Sequence, residues 1–145
     1  MTGYKSFVLG EMKDGVRVEG TVSAASCHNY YVHVKAHHVA SSSWLDVDLN
    51  TSMGLPFLNV KESPVLTWGL SESEAINHAR HYSFRTQKIR GSDASQLHHR
   101  VKSEYLSAGR WYIGVCNSRS LSIGGVSEKD NGNLIESTKY QAVVR

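Results

Sequence analysis

Eight histidines, two cysteines and a pair of alternate aspartates are the residues of this 145-residue chain best suited to chemistry. His37-His38 and His98-His99 are adjacent pairs, while His28, His33, His78 and His81 stand apart. Neighbours along a strand point to opposite faces, so neither pair can chelate one metal ion by itself. A zinc site would have to draw ligands from different strands, such as His33 with His99, and add a fourth ligand and outer partners to fix the rings. The histidines are therefore read as surface or part-buried side chains without metal. Asp46 and Asp48 share one strand face, with carboxylates about 7 Å apart. That spacing suits an acid–base pair, or calcium ligands completed by loop carbonyls. The plainer reading, the solvent face of an amphipathic strand, is preferred. Asp130-Asn131-Gly132-Asn133 is also oxygen-rich, but it lacks the closing acidic residue of an EF-hand loop and reads as a hairpin turn. No cofactor is expected, and calcium at Asp46, Asp48 or Asp130 is the alternative.

Nucleophilic chemistry has little to build on. No G-x-S-x-G elbow or Walker loop occurs, and Gly124-Gly125 lacks the lysine and hydroxyl of a phosphate cradle. Cys27 and Cys116 fit no CxxC or zinc spacing, and each falls beside an expected strand, where a buried free thiol is common. A bridge between them requires the two strands to be neighbours, which spacing alone does not decide. A small hydrolase built on Cys116 and a histidine is the least favoured reading.

These residues must be held by strands. Val16 to Val22 alternates valines with polar residues, and Tyr30, Val32, Val34 and Ala36 form one apolar face opposite Tyr31, His33 and Lys35. Leu45, Val47 and Leu49 point away from the two aspartates. Further strands are expected over 6–9, 57–61, 64–68, 82–86, 97–105, 110–117 and 139–144, separated by turn residues. One helix interrupts them: Ser71 and Glu74 form an S-x-x-E capping box that opens a short helix near 72–80. About eight strands with regular turns predict a single antiparallel β-sandwich over 1–145, jelly-roll-like in architecture. Most aromatic residues should lie in its core. In 110–115, Trp111, Ile113 and Val115 face inward, so that Tyr112 faces outward with Gly114 beside it, leaving a shallow apolar spot. Tyr31, His33 and Tyr112 are the candidate binding surface.

Composition narrows the function. With 40% hydrophobic and 20% charged residues, the chain has an ordinary globular balance. The net charge of +3 is scattered, without the concentrated basic face of a nucleic-acid binder. No apolar run approaches the roughly 20 residues of a membrane helix. Met1 to Gly10 lacks both the basic start and the apolar run of a signal peptide, which favours a reducing cytosolic setting unless the domain comes from a secreted parent.

In order along the chain stand Val18-Glu19-Gly20-Thr21-Val22, Gly54-Leu55-Pro56-Phe57-Leu58-Asn59-Val60 and Gly109-Arg110-Trp111-Tyr112-Ile113-Gly114-Val115. This succession resembles the bacterial pre-peptidase C-terminal family of jelly-roll domains. Gly109 to Val115 matches that family's G-x-Y-Y-x-x-V segment. Gly54 to Val60 stands where G-D-x-D-L-Y-V is found, without its aspartates, so the resemblance does not carry over a calcium role. It implies a non-catalytic accessory module. The expected function is contact with a protein partner or a larger parent chain; the alternative is a carbohydrate- or calcium-binding module of the same fold.

Overall fold

The computed structural model describes residues 5–36, 44–63, 83–102, 105–117 and 137–145. Ten strands occupy them: β1 (Lys5–Glu11), β2 (Val18–Ser23), β3 (Ser26–Val34), β4 (Leu45–Thr51), β5 (Phe57–Lys61), β6 (Ser83–Arg85), β7 (Gln87–Lys88), β8 (Ser95–Val101), β9 (Gly109–Asn117) and β10 (Ser137–Val144). The expected helix near 72–80, the strand over 64–68 and the turn at Asp130 lie outside the described residues. No helix among the described residues is long and apolar enough to cross a membrane.

The strands form two five-stranded sheets, β1-β3-β9-β5-β6 and β2-β10-β4-β8-β7. Strands β2, β3, β4 and β5 alternate between sheets, as do β8, β9 and β10. With β2-β10-β4-β8 facing β3-β9-β5-β6, this is the strand order of a jelly roll, flanked by β1 and β7. Antiparallel pairing dominates, but β1 runs parallel to β3. Alternation also missed β7, which is only two residues long. The chain passes from β6 to β7, and so between sheets, at Thr86, whose backbone N–H and Oγ1 both donate to the Pro56 carbonyl, the latter at 2.8 Å.

Period-two patterning explains which side of each strand is buried. In β10, Thr138, Tyr140, Ala142 and Val144 are buried while Ser137, Lys139 and Gln141 are exposed. Tyr30, Val32, Trp111, Ile113, Val115, Leu58 and Val60 from the first sheet meet Val22, Val47, Leu49, Tyr140 and Ala142 from the second. Each fully buried aliphatic side chain contributes about 1.5–3 kcal/mol. Expectations fail at several margins: Ala36 lies beyond β3 and is exposed, and the strand expected over 97–105 ends at Val101. Val16 lies outside β2 and is exposed, and Trp44 is 53% exposed rather than core, its ring covered by the Arg100 guanidinium at 4.0 Å.

A polar chain ties the sheets together at one point. Tyr140 Oη is hydrogen-bonded to Tyr30 Oη at 2.6 Å and to His28 Nδ1 at 2.9 Å. Burial pushes the Tyr140 phenol far up and His28 down, which keeps both neutral at physiological pH. Tyr140 reaches this position only because its register partner is Gly20. A Cβ there would sit 2.5 Å from the phenol oxygen and 2.7 Å from its ring carbon. Gly20→Ala should therefore destabilise the domain by about 1–3 kcal/mol through overpacking. Denaturant titration checks this, with a midpoint change at constant slope as the expected result.

Candidate functional site

The outer face of the first sheet is built by the residues that alternate with its core positions. Register aligns Cys27, Asn29, Tyr31 and His33 of β3 with Cys116, Gly114, Tyr112 and Arg110 of β9. Asn59 and Lys61 of β5 continue the Gly114 and Tyr112 rows. This face has a closed half and an open half.

In the closed half Cys27 and Cys116 form a disulfide between directly opposed residues, with Cα atoms 4.0 Å apart, and both are wholly buried. Spacing left the pairing of the two cysteines undecided; β3 and β9 are neighbours, and their register puts the sulfurs face to face. The reading of Cys116 as a hydrolase nucleophile falls, because no thiolate is available from a bridged sulfur. Beside the bridge, Asn29 and Asn59 flank Gly114 and are also buried. Asn29 Nδ2 donates to Ser6 Oγ at 2.9 Å and to the Phe7 carbonyl at 3.1 Å. The spot beside Gly114 is thus lined by amides, not apolar as expected.

In the open half the β3–β9 register brings Tyr31, His33 and Tyr112 together, on the outward face that alternation gave each of them. The Tyr31 ring meets His33 edge-on at 5.6 Å and Tyr112 at 6.1 Å. The residue that organises them was not singled out from sequence. The Arg110 guanidinium lies 4.1 Å from the Tyr31 ring centroid, and its Nη1 donates to Tyr112 Oη at 3.4 Å. Its pKa is raised, first by that hydrogen bond, so the group is permanently cationic. Alternation carried the signal, since Arg110 is two positions from Tyr112 and shares its face. What could not be read was that Tyr31 would lie across from both. The result is an exposed cation held over the face of one aromatic ring, with two further rings around it.

The aspartates occupy the outer face of the other sheet, but Asp46 is buried there rather than open to solvent, and both are engaged by basic side chains. Asp46 accepts from Arg100 Nε at 2.8 Å and Nη2 at 3.0 Å, a two-point fork. Asp48 is bonded to His98 Nδ1 at 2.6 Å, and His98 Nε2 lies 3.6 Å from Asp46. A calcium ion here would have to displace the guanidinium. Asp130 lies outside the described residues. His33 and His99 do not converge: His33 faces outward from the first sheet, whereas His99 points between the sheets and stacks on Phe84 at 3.7 Å. Among the described residues no group of three or more His, Cys, Asp or Glu side chains could hold a metal ion.

The Arg100 fork holds the Asp46 carboxyl below its ordinary value, against the opposing effect of burial. A depressed folded-state pKa gives stability that is present in full above about pH 4 and is lost as pH falls through the depressed value. Asp46→Asn lacks this contribution, so its thermal midpoint should lie below that of the parent at neutral pH. The gap should close on acidification below about pH 4, which a series of melts across pH would record.

No family model and no curated protein matches the chain. Among solved structures it is similar to Aeromonas hydrophila PliG, a periplasmic lysozyme inhibitor of g-type lysozyme. The likeness has a TM-score of 0.54 at 14% identity and covers 98% of this chain and 97% of that one. At this identity it is a likeness of fold, extending over the whole sandwich.

Proposed function

We propose that this chain is a non-catalytic β-sandwich module that binds a protein partner through the open half of the β3–β9 face. A g-type lysozyme, the enzyme that the similar inhibitor PliG acts on, is the first partner to try. The observation that carries the reading is the Arg110 guanidinium stacked on Tyr31 beside Tyr112 and His33. Tyrosine and arginine are the side chains in which binding energy concentrates at protein interfaces. Here they are pre-ordered by one another and rooted on two hydrogen-bonded strands, so little rotamer entropy remains to be lost on association. The fold shared with an inhibitor of g-type lysozyme supports a protein rather than a small substrate as the partner. The buried Cys27–Cys116 bridge supports an oxidising compartment as the place of action, in contrast to the cytosolic setting that the sequence favoured.

Titration of the purified chain into a g-type lysozyme, followed by cell-wall lysis and by calorimetry, tests this. The expected result is a saturable complex near one-to-one stoichiometry with a dose-dependent loss of lysis. An unchanged lysis rate together with no heat of binding at about 100 µM would count against it.

A further inference from the structure

The opposite outer face of the sandwich carries polar groups that the protein-binding reading leaves unused. Register sets Glu19, Gln141, Asn50, Gln96 and Gln87 side by side across β2, β10, β4, β8 and β7. All five side chains are exposed. Four interstrand steps of about 4.8 Å make this a row about 19 Å long across the sheet. Among the described residues none of the five has a side-chain hydrogen bond or ion pair, whereas Asp46, Asp48, His98 and Arg100 farther along the same face bond one another. At the β2–β10–β4 end the row borders a cleft of about 560 Å³, walled by Thr21, Ser52 and Lys139 as well as by Glu19, Gln141 and Asn50.

A carboxamide presents two donors and an acceptor in one plane, so it can pair with two neighbouring hydroxyls in either sense. Four carboxamides in line, with hydroxyls at one end, suit a ligand that repeats hydroxyl groups along an extended chain. The single acid, Glu19, and the single base, Lys139, offset each other, so the row does not select a polyanion. No apolar side chain stands in the row to hold a lipid. A peptide strand would seek backbone partners at a sheet edge, and the backbone of the three central strands is already paired on both sides. We propose that this amide row is a binding site for a neutral, extended oligosaccharide. The site is distinct from the Tyr31–Arg110 surface and does not depend on that reading.

Isotope-labelled protein titrated with neutral tetrasaccharides of β-1,4-glucose, β-1,4-N-acetylglucosamine and α-1,4-glucose provides the test. At least one should give saturable shifts concentrated in β2, β10, β4 and β8. Replacing Asn50→Asp together with Gln141→Glu keeps shape but removes the amide donors, and should weaken that binding about tenfold or more. The paired alanine variant should do the same without moving the thermal midpoint. Three results would each overturn the assignment: no saturation by any of the sugars at about 10 mM, shifts centred on Tyr31 and Tyr112 instead, or undiminished binding by both paired variants.

Discussion

With Cys27 and Cys116 both replaced by alanine, the thermal midpoint of the domain should fall by about 10 °C. The bridge joins residues 89 positions apart, so breaking it restores a large conformational freedom to the unfolded chain. The chain-entropy estimate for a loop of that size is about 4–5 kcal/mol, and native disulfides in small domains contribute about 2–5 kcal/mol. For a domain of this length each kcal/mol moves the midpoint by roughly 2–4 °C. The bridge also clamps β3 to β9, and β9 is the middle strand of its sheet. Reductant should lower the parent's midpoint in the same direction and leave the double variant unaffected. Scanning calorimetry with and without reductant measures both effects; a parent indifferent to the substitutions would contradict the structural role given to the bridge.

Arg110→Ala should weaken partner binding by about 30- to 100-fold, or roughly 2–3 kcal/mol. The substitution removes the charge, the group lying over the Tyr31 ring and the donor to Tyr112 in one step. Lysine should restore little, because an ammonium supplies charge without the planar fork that stacks and donates together. Folding stability should stay within about 0.5 kcal/mol of the parent, since Arg110 is exposed and buries no apolar surface in the core. That separation between lost affinity and kept stability distinguishes a binding role from a packing one. It is measured by calorimetric titration against denaturant melts of the same samples. Tyr112→Phe is the graded control: it removes only the hydroxyl that accepts from Arg110, and should cost less than tenfold.

Strand faces were legible in the sequence; strand neighbours were not. Alternation in Tyr30 to Val34 and in Trp111 to Val115 is enough to send Tyr30, Val32, Ile113 and Val115 inward and Tyr31, His33 and Tyr112 outward. The same rule put Asp46 and Asp48 on an outer face. Which outward residues meet depends on register, a long-range property that no local pattern encodes. Hence the Cys27–Cys116 bridge, the fork between Asp46 and Arg100, and the stack of Arg110 on Tyr31 all went unread, as did the amide row, which takes one residue from each of five strands. Trp44 misled for a different reason. Most aromatic residues were expected in the core, but Trp44 lies one residue before β4 and finds its partner in Arg100. Gly109 to Val115, the segment that best matched the pre-peptidase C-terminal pattern, lies within β9, which pairs with β3 and β5 and contributes Trp111, Ile113 and Val115 to the core.

Mapping the bound surface by amide chemical-shift changes on titration with a g-type lysozyme shows whether the β3–β9 face is where a protein docks. Signals of Tyr31, His33, Arg110 and Tyr112 should broaden or move first, while those of Gln96 and Gln87 on the far sheet stay in place. A complex whose perturbed residues lie on that far sheet, or the lack of any complex, would rule out the β3–β9 face as the docking surface.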